Sequence, residues 1–378
     1  MAGIYIHVPF CSSRCIYCDF YSTTQGVEMR SAYVNALCRE IAARKQELGE
    51  QNISTIYLGG GTPSLLSLDQ LGQIMHVVHE NFEISSSAEI TLESNPDDVT
   101  FDLAKGWLAM GVNRVSLGLQ TFDDNILKLL RRRHTSATAK SAVATLRSAG
   151  FQNLTLDLIY GLPNQTFEIW QKDVQELLSL SVNHLSAYAL SYESGTVLTR
   201  MRDRGEIQEA DEEMVRKMYL YLIEQSEAAG YKHYEISNFA LPGYESRHNS
   251  SYWSGAPYIG LGPGAHSYDG KSIRRANDPD LLSYVKSGGD APCCYENLDE
   301  VQLYEEYLLT GLRTAKGVSL TFIENHFGKQ VYARMLHIAK PHLEKGNLRE
   351  ENGCYILTLN GILISDYIIS DLMVAADE

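Results

Sequence analysis

The sequence predicts an α/β protein, a partial (β/α)6 barrel followed by a small C-terminal α+β domain of winged-helix type. Three observations carry that prediction. Strand-like runs alternate with amphipathic helical runs through the first 240 residues. Each of the six strands has one apolar and one polar parity. From residue 297 onward the pattern changes to helices and a hairpin.

The strands are read at 4–8, 55–59, 89–94, 114–120, 153–159 and 184–190, and the helices at 29–48, 67–82, 100–110, 123–131, 136–149 and 166–180. Such alternation implies parallel βαβ units. One strand parity holds Ile4, Ile6, Ile56, Leu58, Val115, Leu117, Leu154, Leu156 and Leu185, a face to pack under helices. The other holds Tyr5, His7, Thr55, Tyr57, Thr91, Glu93, Ser116, Gln120, Thr155, Asp157, Ser186 and Tyr188. A buried parallel sheet is normally apolar on both faces, and a closed barrel is filled with branched apolar side chains. Polar groups buried there without partners would cost about 1–3 kcal/mol each. The polar wall therefore implies an open lumen that takes a polar ligand.

The barrel is expected over 1–240 and a connecting segment rich in glycine, proline and tyrosine over 241–296. The C-terminal domain is expected over 297–378, with helices at 299–313, 319–327 and 329–339 and a last helix at 361–373. Between them, Leu348–Glu351 and Cys354–Leu359 flank an Asn352-Gly353 turn. This region carries 12 acidic and seven basic side chains, the wrong sign for phosphate contacts despite its winged-helix pattern. The whole chain has a net charge of −15 and no basic stripe, so nucleic acid is not an expected partner. No apolar run approaches the roughly 20 residues of a membrane span. With the first strand beginning beside Met1, no signal peptide is expected, and the expected compartment is cytoplasmic.

Cys11, Cys15 and Cys18 form a C-x3-C-x2-C loop directly after the first strand. Iron–sulfur clusters normally take four cysteines, so three leave one iron open to a small molecule. The alternative is a structural zinc ion on the same cysteines plus His7. The other four cysteines, Cys38, Cys293, Cys294 and Cys354, show no framework spacing. Cys38 shares an apolar helix stripe with Val34, Leu37 and Ile41, and adjacent Cys293-Cys294 could touch haem or metal.

The cysteine loop, with Tyr17 before its third cysteine, resembles that of the radical S-adenosylmethionine (SAM) superfamily. Within it the chain resembles, over essentially its whole length, the group around oxygen-independent coproporphyrinogen III dehydrogenase (HemN), and most closely the haem-chaperone branch, HemW. The resemblance implies a radical-SAM barrel and a 4Fe-4S cluster ligated by Cys11, Cys15 and Cys18, with SAM on the open iron. It implies SAM contacts from Tyr5, Tyr17, Gly60, Gly61, Thr62, Glu93, Gln120, Arg132 and Asp157. In residue terms, Gly60, Gly61 and Thr62 lie in Gly59-Gly60-Gly61-Thr62-Pro63, where glycines let backbone approach a ligand. Glu93 and Gln120 end strands three and four, Asp157 lies on strand five, and Arg132 offers a fork of donors for a carboxylate.

Two departures separate the chain from the dehydrogenase. Phe20 stands where that pattern has a fourth cysteine, and ten residues precede Cys11 in place of a long extension. His248-Asn249-Ser250-Ser251-Tyr252-Trp253 resembles the haem-associated signature of the chaperone branch. Imidazole is a standard axial iron ligand, and Tyr252 and Trp253 could supply flat apolar surface. The alternative is a hydrogen-bonded loop histidine with core aromatics. His266, in a glycine-rich loop, is a second candidate. The implied function is a haem chaperone that binds haem and transfers it to haem-requiring respiratory proteins. The alternative is a radical SAM enzyme acting on a porphyrinogen, and no catalytic residue is assigned. The implied partners are haem as cargo, a membrane-associated respiratory acceptor protein, and a second copy in a homodimer.

Overall fold

The computed structural model describes residues 2–49, 51–290 and 292–373, so the expected domain limits at Met1 and 374–378 lie outside the described residues. β1 (Ala2–Val8), β2 (Ile53–Gly60), β3 (Ile84–Ser94), β4 (Arg114–Gln120), β5 (Asn153–Tyr160) and β6 (His184–Ala189) are parallel and stand side by side in chain order. The register keeps the polar parity on one face, with Tyr5 beside Tyr57, Glu93 beside Ser116, and Asp157 beside Ser186.

The apolar parity is the core. Ile4, Ile6, Ile56, Leu58, Leu92, Val115, Leu117, Leu154, Leu156 and Leu185 are buried under the crossover helices. Each such side chain contributes about 1.5–3 kcal/mol of transfer free energy. Helices Arg30–Ala43, Leu68–Asn81, Phe101–Ala109, Ser136–Ala149 and Phe167–Ser179 supply the covering layer. Their starts are written in the sequence: Ser67 and Gln70 form a reciprocal capping box, and Thr100, Thr135 and Thr166 each accept from the N–H three residues on.

Beyond β6 the chain adds helix Glu212–Ala228 and the antiparallel pair β7 (Lys232–Glu235) and β8 (Asn238–Ala240). The stretch 241–296 is more than a connector. It contains helix Arg247–Trp253, then β9 (Tyr258–Leu261), which joins β1 in parallel. β10 (His266–Tyr268), β11 (Ile273–Asn277) and β12 (Cys293–Asn297) continue the same sheet in antiparallel order. The result is one open sheet of twelve strands with β12 and β7 at its edges. Strands of three to five residues give no readable alternation, so turn-forming residues dominate the sequence pattern there.

A second core lies in the C-terminal region, with Tyr304, Leu308, Leu312, Ile323, Met335, Ile368 and Leu372 at its centre. Helix Glu300–Leu312 leads into β13 (Val318–Ser319) and helix Leu320–Glu344, which is broken at Gly328 with φ 89°. β14 (Leu348–Glu351) and β15 (Cys354–Leu357) meet through Asn352 and Gly353, both at positive φ, as a two-residue hairpin demands. Helix Ser365–Leu372 closes the domain. Among the described residues no helix is long and apolar enough to cross a membrane.

Candidate functional site

β1 ends at Val8 and its continuation folds back on itself, with Cys11 N–H donating to Thr23 O at 2.9 Å and Thr23 N–H to Pro9 O at 2.7 Å. The loop so formed carries Cys11, Cys15 and Cys18 as free, half-buried thiols. Burial pushes the Cys11 thiol up and the Cys18 thiol to about 11, and the neighbouring cysteine sulfurs push in the same direction. Thiolates in this loop need a compensating positive partner, which is what cluster irons provide. His7 does not join the cysteines. Its Nε2 donates to Tyr21 O at 2.9 Å, and its Nδ1 accepts from Tyr5 Oη at 3.0 Å. Without His7, the three cysteines lack the fourth ligand that a structural zinc site takes.

A chain of hydrogen bonds links two of these sulfurs through the barrel mouth. Cys11 Sγ lies 3.6 Å from Thr62 Oγ1, which accepts from Asn95 Nδ2 at 3.2 Å. Asn95 Oδ1 accepts from Arg132 at 2.7 Å, and a second Arg132 nitrogen donates to Cys15 Sγ at 3.4 Å. Arg132 also donates to Gly118 O, while its buried Nε has no partner. That orphan donor beside the sulfurs fits an anionic group of a bound cofactor. Asn95 was not singled out by the sequence; its position two residues after Glu93, in the loop leaving β3, is the available signal.

The glycines of the β2 exit loop are demanded first by packing. A Cβ on Gly60, which has φ 104°, would lie 2.6 Å from the His7 ring, and one on Gly61 would lie 2.7 Å from Phe10 O. Glu93 accepts from Tyr57 Oη at 2.7 Å and from Gly60 N–H at 3.2 Å. Burial pushes its carboxyl up to about 7. Asp157 accepts from Ser116 Oγ at 3.0 Å and is also shifted up by burial. Gln120 ends β4 with φ 74°, and its amide lies close over Gly118, where Arg132 also reaches. Tyr17 packs partly buried beside Ile16 and Leu130, within the field of Arg132 and Cys15. The structure thus gathers the sequence-chosen residues around one mouth and adds Tyr57, Asn95 and Ser116.

At the amino-terminal end of the barrel, the protein fills the lumen itself. The expected ligand-binding wall is corrected there. Helix Arg247–Trp253 enters, and the Glu89 carboxylate accepts from the His248 and Arg247 N–H groups at 3.0 and 3.2 Å. Arg114 donates to Thr155 Oγ1 at 2.6 Å and to Ser246 Oγ at 3.2 Å. His248 Nδ1 bonds Thr55 Oγ1 at 2.9 Å and its Nε2 bonds Tyr252 Oη at 2.8 Å. The His248 ring is 1% exposed and stacks under Tyr57. Burial holds its pKa down at about 3. Both His248 ring nitrogens are thus hydrogen-bonded, and Tyr252 and Trp253 reach a large cavity. Cys293 and Cys294 lie on edge strand β12 opposite Asn277 and Ala276.

Residues 5–177 match the family described as the Radical SAM superfamily. A "Heme chaperone HemW" of Lactococcus lactis is 38% identical over 85% of this chain and 84% of its own length. One of Bacillus subtilis is 34% identical over 97% of both. A zebrafish (Danio rerio) protein named "Radical S-adenosyl methionine domain-containing protein 1, mitochondrial" is 31% identical over 95% of this chain and 82% of its own. Among solved structures, coproporphyrinogen III oxidase (HemN) of Escherichia coli superposes with a TM-score of 0.85 at 22% identity. It covers 99% of this chain and 90% of that one, a likeness of fold.

Proposed function

The chain belongs to the HemW family of the radical SAM superfamily, and on that footing we propose that it is a haem chaperone that holds haem and delivers it to haem-requiring proteins. It uses a 4Fe-4S cluster and SAM, and the cluster when bound supplies single electrons and an open coordination site. Cys11, Cys15 and Cys18 are its ligands. The surrounding residues position the nucleoside. Arg132 would pair with the SAM carboxylate through its unpartnered Nε, Glu93 and Asp157 would accept hydrogen bonds from hydroxyl groups, and the Gly60–Thr62 backbone would give room for the amino group. Tyr5, Tyr17 and Gln120 complete the wall.

The observation that carries the reading is the joint presence of the three-cysteine loop and the HemW-type chain. Phe20, 65% exposed two residues after Cys18, stands in place of a fourth thiol. The expected recipient is a respiratory, membrane-associated haem protein, served from the cytoplasm by a homodimer.

The test is anaerobic reconstitution followed by two assays. The account predicts a Soret band on adding haem, transfer to a haem-free acceptor, and no porphyrinogen-dependent release of 5′-deoxyadenosine. Turnover of a porphyrinogen without haem retention would establish the enzyme instead.

A further inference from the structure

We propose that Asp173, on helix Phe167–Ser179 behind the sheet, is a positioning residue that holds Gln120 in the conformation that meets SAM. This rests on the SAM-binding reading of the barrel mouth and adds what sets one contact of that site. The backbone of Gln120 is the starting point. It ends β4 at φ 74°, in the left-handed region that a residue with a side chain adopts only under constraint. The strand pairing supplies the cause. Gly118 pairs with Asp157 and Gln120 with Leu158, so Leu119 is the extra residue of a bulge, a device that re-aims side chains. Leu119 turns into the apolar core. The Gln120 amide lies over Gly118, where a Cβ would stand 2.9 Å from Gln120 Nε2 and 3.4 Å from Arg132.

The bulge is gripped on both sides. Ahead of Gln120, Arg132 donates to Gly118 O, and buried His134 donates from Nε2 to Leu119 O at 3.1 Å. Beyond it, the Asp173 carboxylate accepts the Phe122 N–H at 2.7 Å and the Thr121 hydroxyl at 2.8 Å. Thr121 Oγ1 in turn accepts from the Asp123 N–H at 3.1 Å. Asp173 also accepts from Gln165 Nε2 at 3.1 Å, and Gln165 Oε1 accepts the Leu162 N–H at 3.1 Å. One carboxylate therefore ties the exit loop of β4 to that of β5, the strand that carries Asp157.

Asp173 does more than fill the space between helix and sheet. It is 1% exposed, and among the described residues its charge is held by hydrogen bonds from Phe122, Thr121 and Gln165, not by a cation. A carboxylate buried without a cation is costly. The donors that offset this cost come from the two exit loops, so the stability of the buried charge and the placement of Gln120 are one arrangement.

The experiment titrates SAM into the anaerobically reconstituted, reduced full chain and follows the change SAM causes in its electron paramagnetic resonance signal. Asp173→Ala is expected to keep wild-type iron, sulfide and SAM-free signal, and to bind SAM about tenfold more weakly, as loss of one well-aimed polar contact implies. Asp173→Asn, with an oxygen left for the Phe122 N–H, recovers part of that affinity. In a Gln120→Ala background, Asp173→Ala has no further effect, because it acts through the side chain already removed. Thr121→Val removes one of the two anchors, weakens SAM binding in the same direction, and stands in where Asp173→Ala does not fold. Wild-type affinity in both variants, loss of iron in both, or a full second loss in the Gln120→Ala background overturns the proposal while the SAM reading stands. A wild type whose signal ignores SAM overturns both.

Discussion

The Glu89 carboxylate accepts from the backbone N–H of His248 at 3.0 Å, so a strand of the barrel wall anchors the helix that fills the lumen from its amino-terminal end. The same carboxylate takes the Arg247 N–H at 3.2 Å, meeting two of the helix's unpaired donors with an anion. This contact separates a self-filled lower lumen from an upper lumen beside the cysteines. Glu89→Ala leaves both donors unpaired in the interior. The expected loss is about 2 kcal/mol or more of stability, read by chemical denaturation. A neutral effect would mean that the helix holds its place by packing alone.

His248 gives the floor a pH dependence. Its folded pKa is held at about 3, below the usual 6.5, by burial first and the Arg114 charge second. In the unfolded chain the imidazole takes a proton below pH 6.5 while the folded one stays neutral. Its stabilising contribution is therefore complete above 6.5 and is lost as pH falls toward 3. The stability difference between wild type and His248→Gln should shrink across that window, by up to about 1.4 kcal/mol per pH unit. Melting curves of both proteins at pH 7, 6 and 5 check it, and parallel curves would contradict it.

Gly60 tests the fit of the β2 exit loop. Alanine there must adopt φ 104° and place its Cβ 2.6 Å from the His7 ring. Strain of about 1–2 kcal/mol from the dihedral alone, plus the displaced imidazole, should loosen Tyr5 and the cysteine loop together. Gly60→Ala is expected to melt lower and to retain less iron after reconstitution. Gly353→Ala, with open space around its Cβ, bears only the dihedral strain and should retain iron normally.

The cysteines separate cleanly by position. Cys11→Ala, Cys15→Ala and Cys18→Ala should each remove most iron and sulfide, because a cluster already short of one protein ligand has none to spare. Cys354→Ala lies on the C-terminal hairpin and should leave iron content unchanged. Iron and sulfide assays on the four variants decide this.

Much of this arrangement is legible in the sequence. The strand parities separate the apolar core face from the polar face because long parallel strands are written in strict alternation, as Leu154, Leu156 and Leu158 against Thr155 and Asp157 show. The Asn352-Gly353 turn was equally plain, and so was the helix break near residue 328. The edge strands β9–β12 were not, being short and rich in turn formers. The lower lumen departs from the sequence expectation for a different reason. Polar parity shows that Thr55, Arg114 and Thr155 need partners, but a sequence does not say whether a ligand or residues 246–252 will supply them. Asn95 was passed over because an asparagine before proline reads first as a turn residue, and only the fold sets it between Thr62 and Arg132.

The most direct measurement is electron paramagnetic resonance of the oxygen-protected, reduced full chain, with and without SAM. The account predicts a cubane signal that changes when SAM is added and disappears in each of the three loop-cysteine variants. Reduced, iron-loaded protein that gives no such signal, or a signal indifferent to SAM, would contradict it.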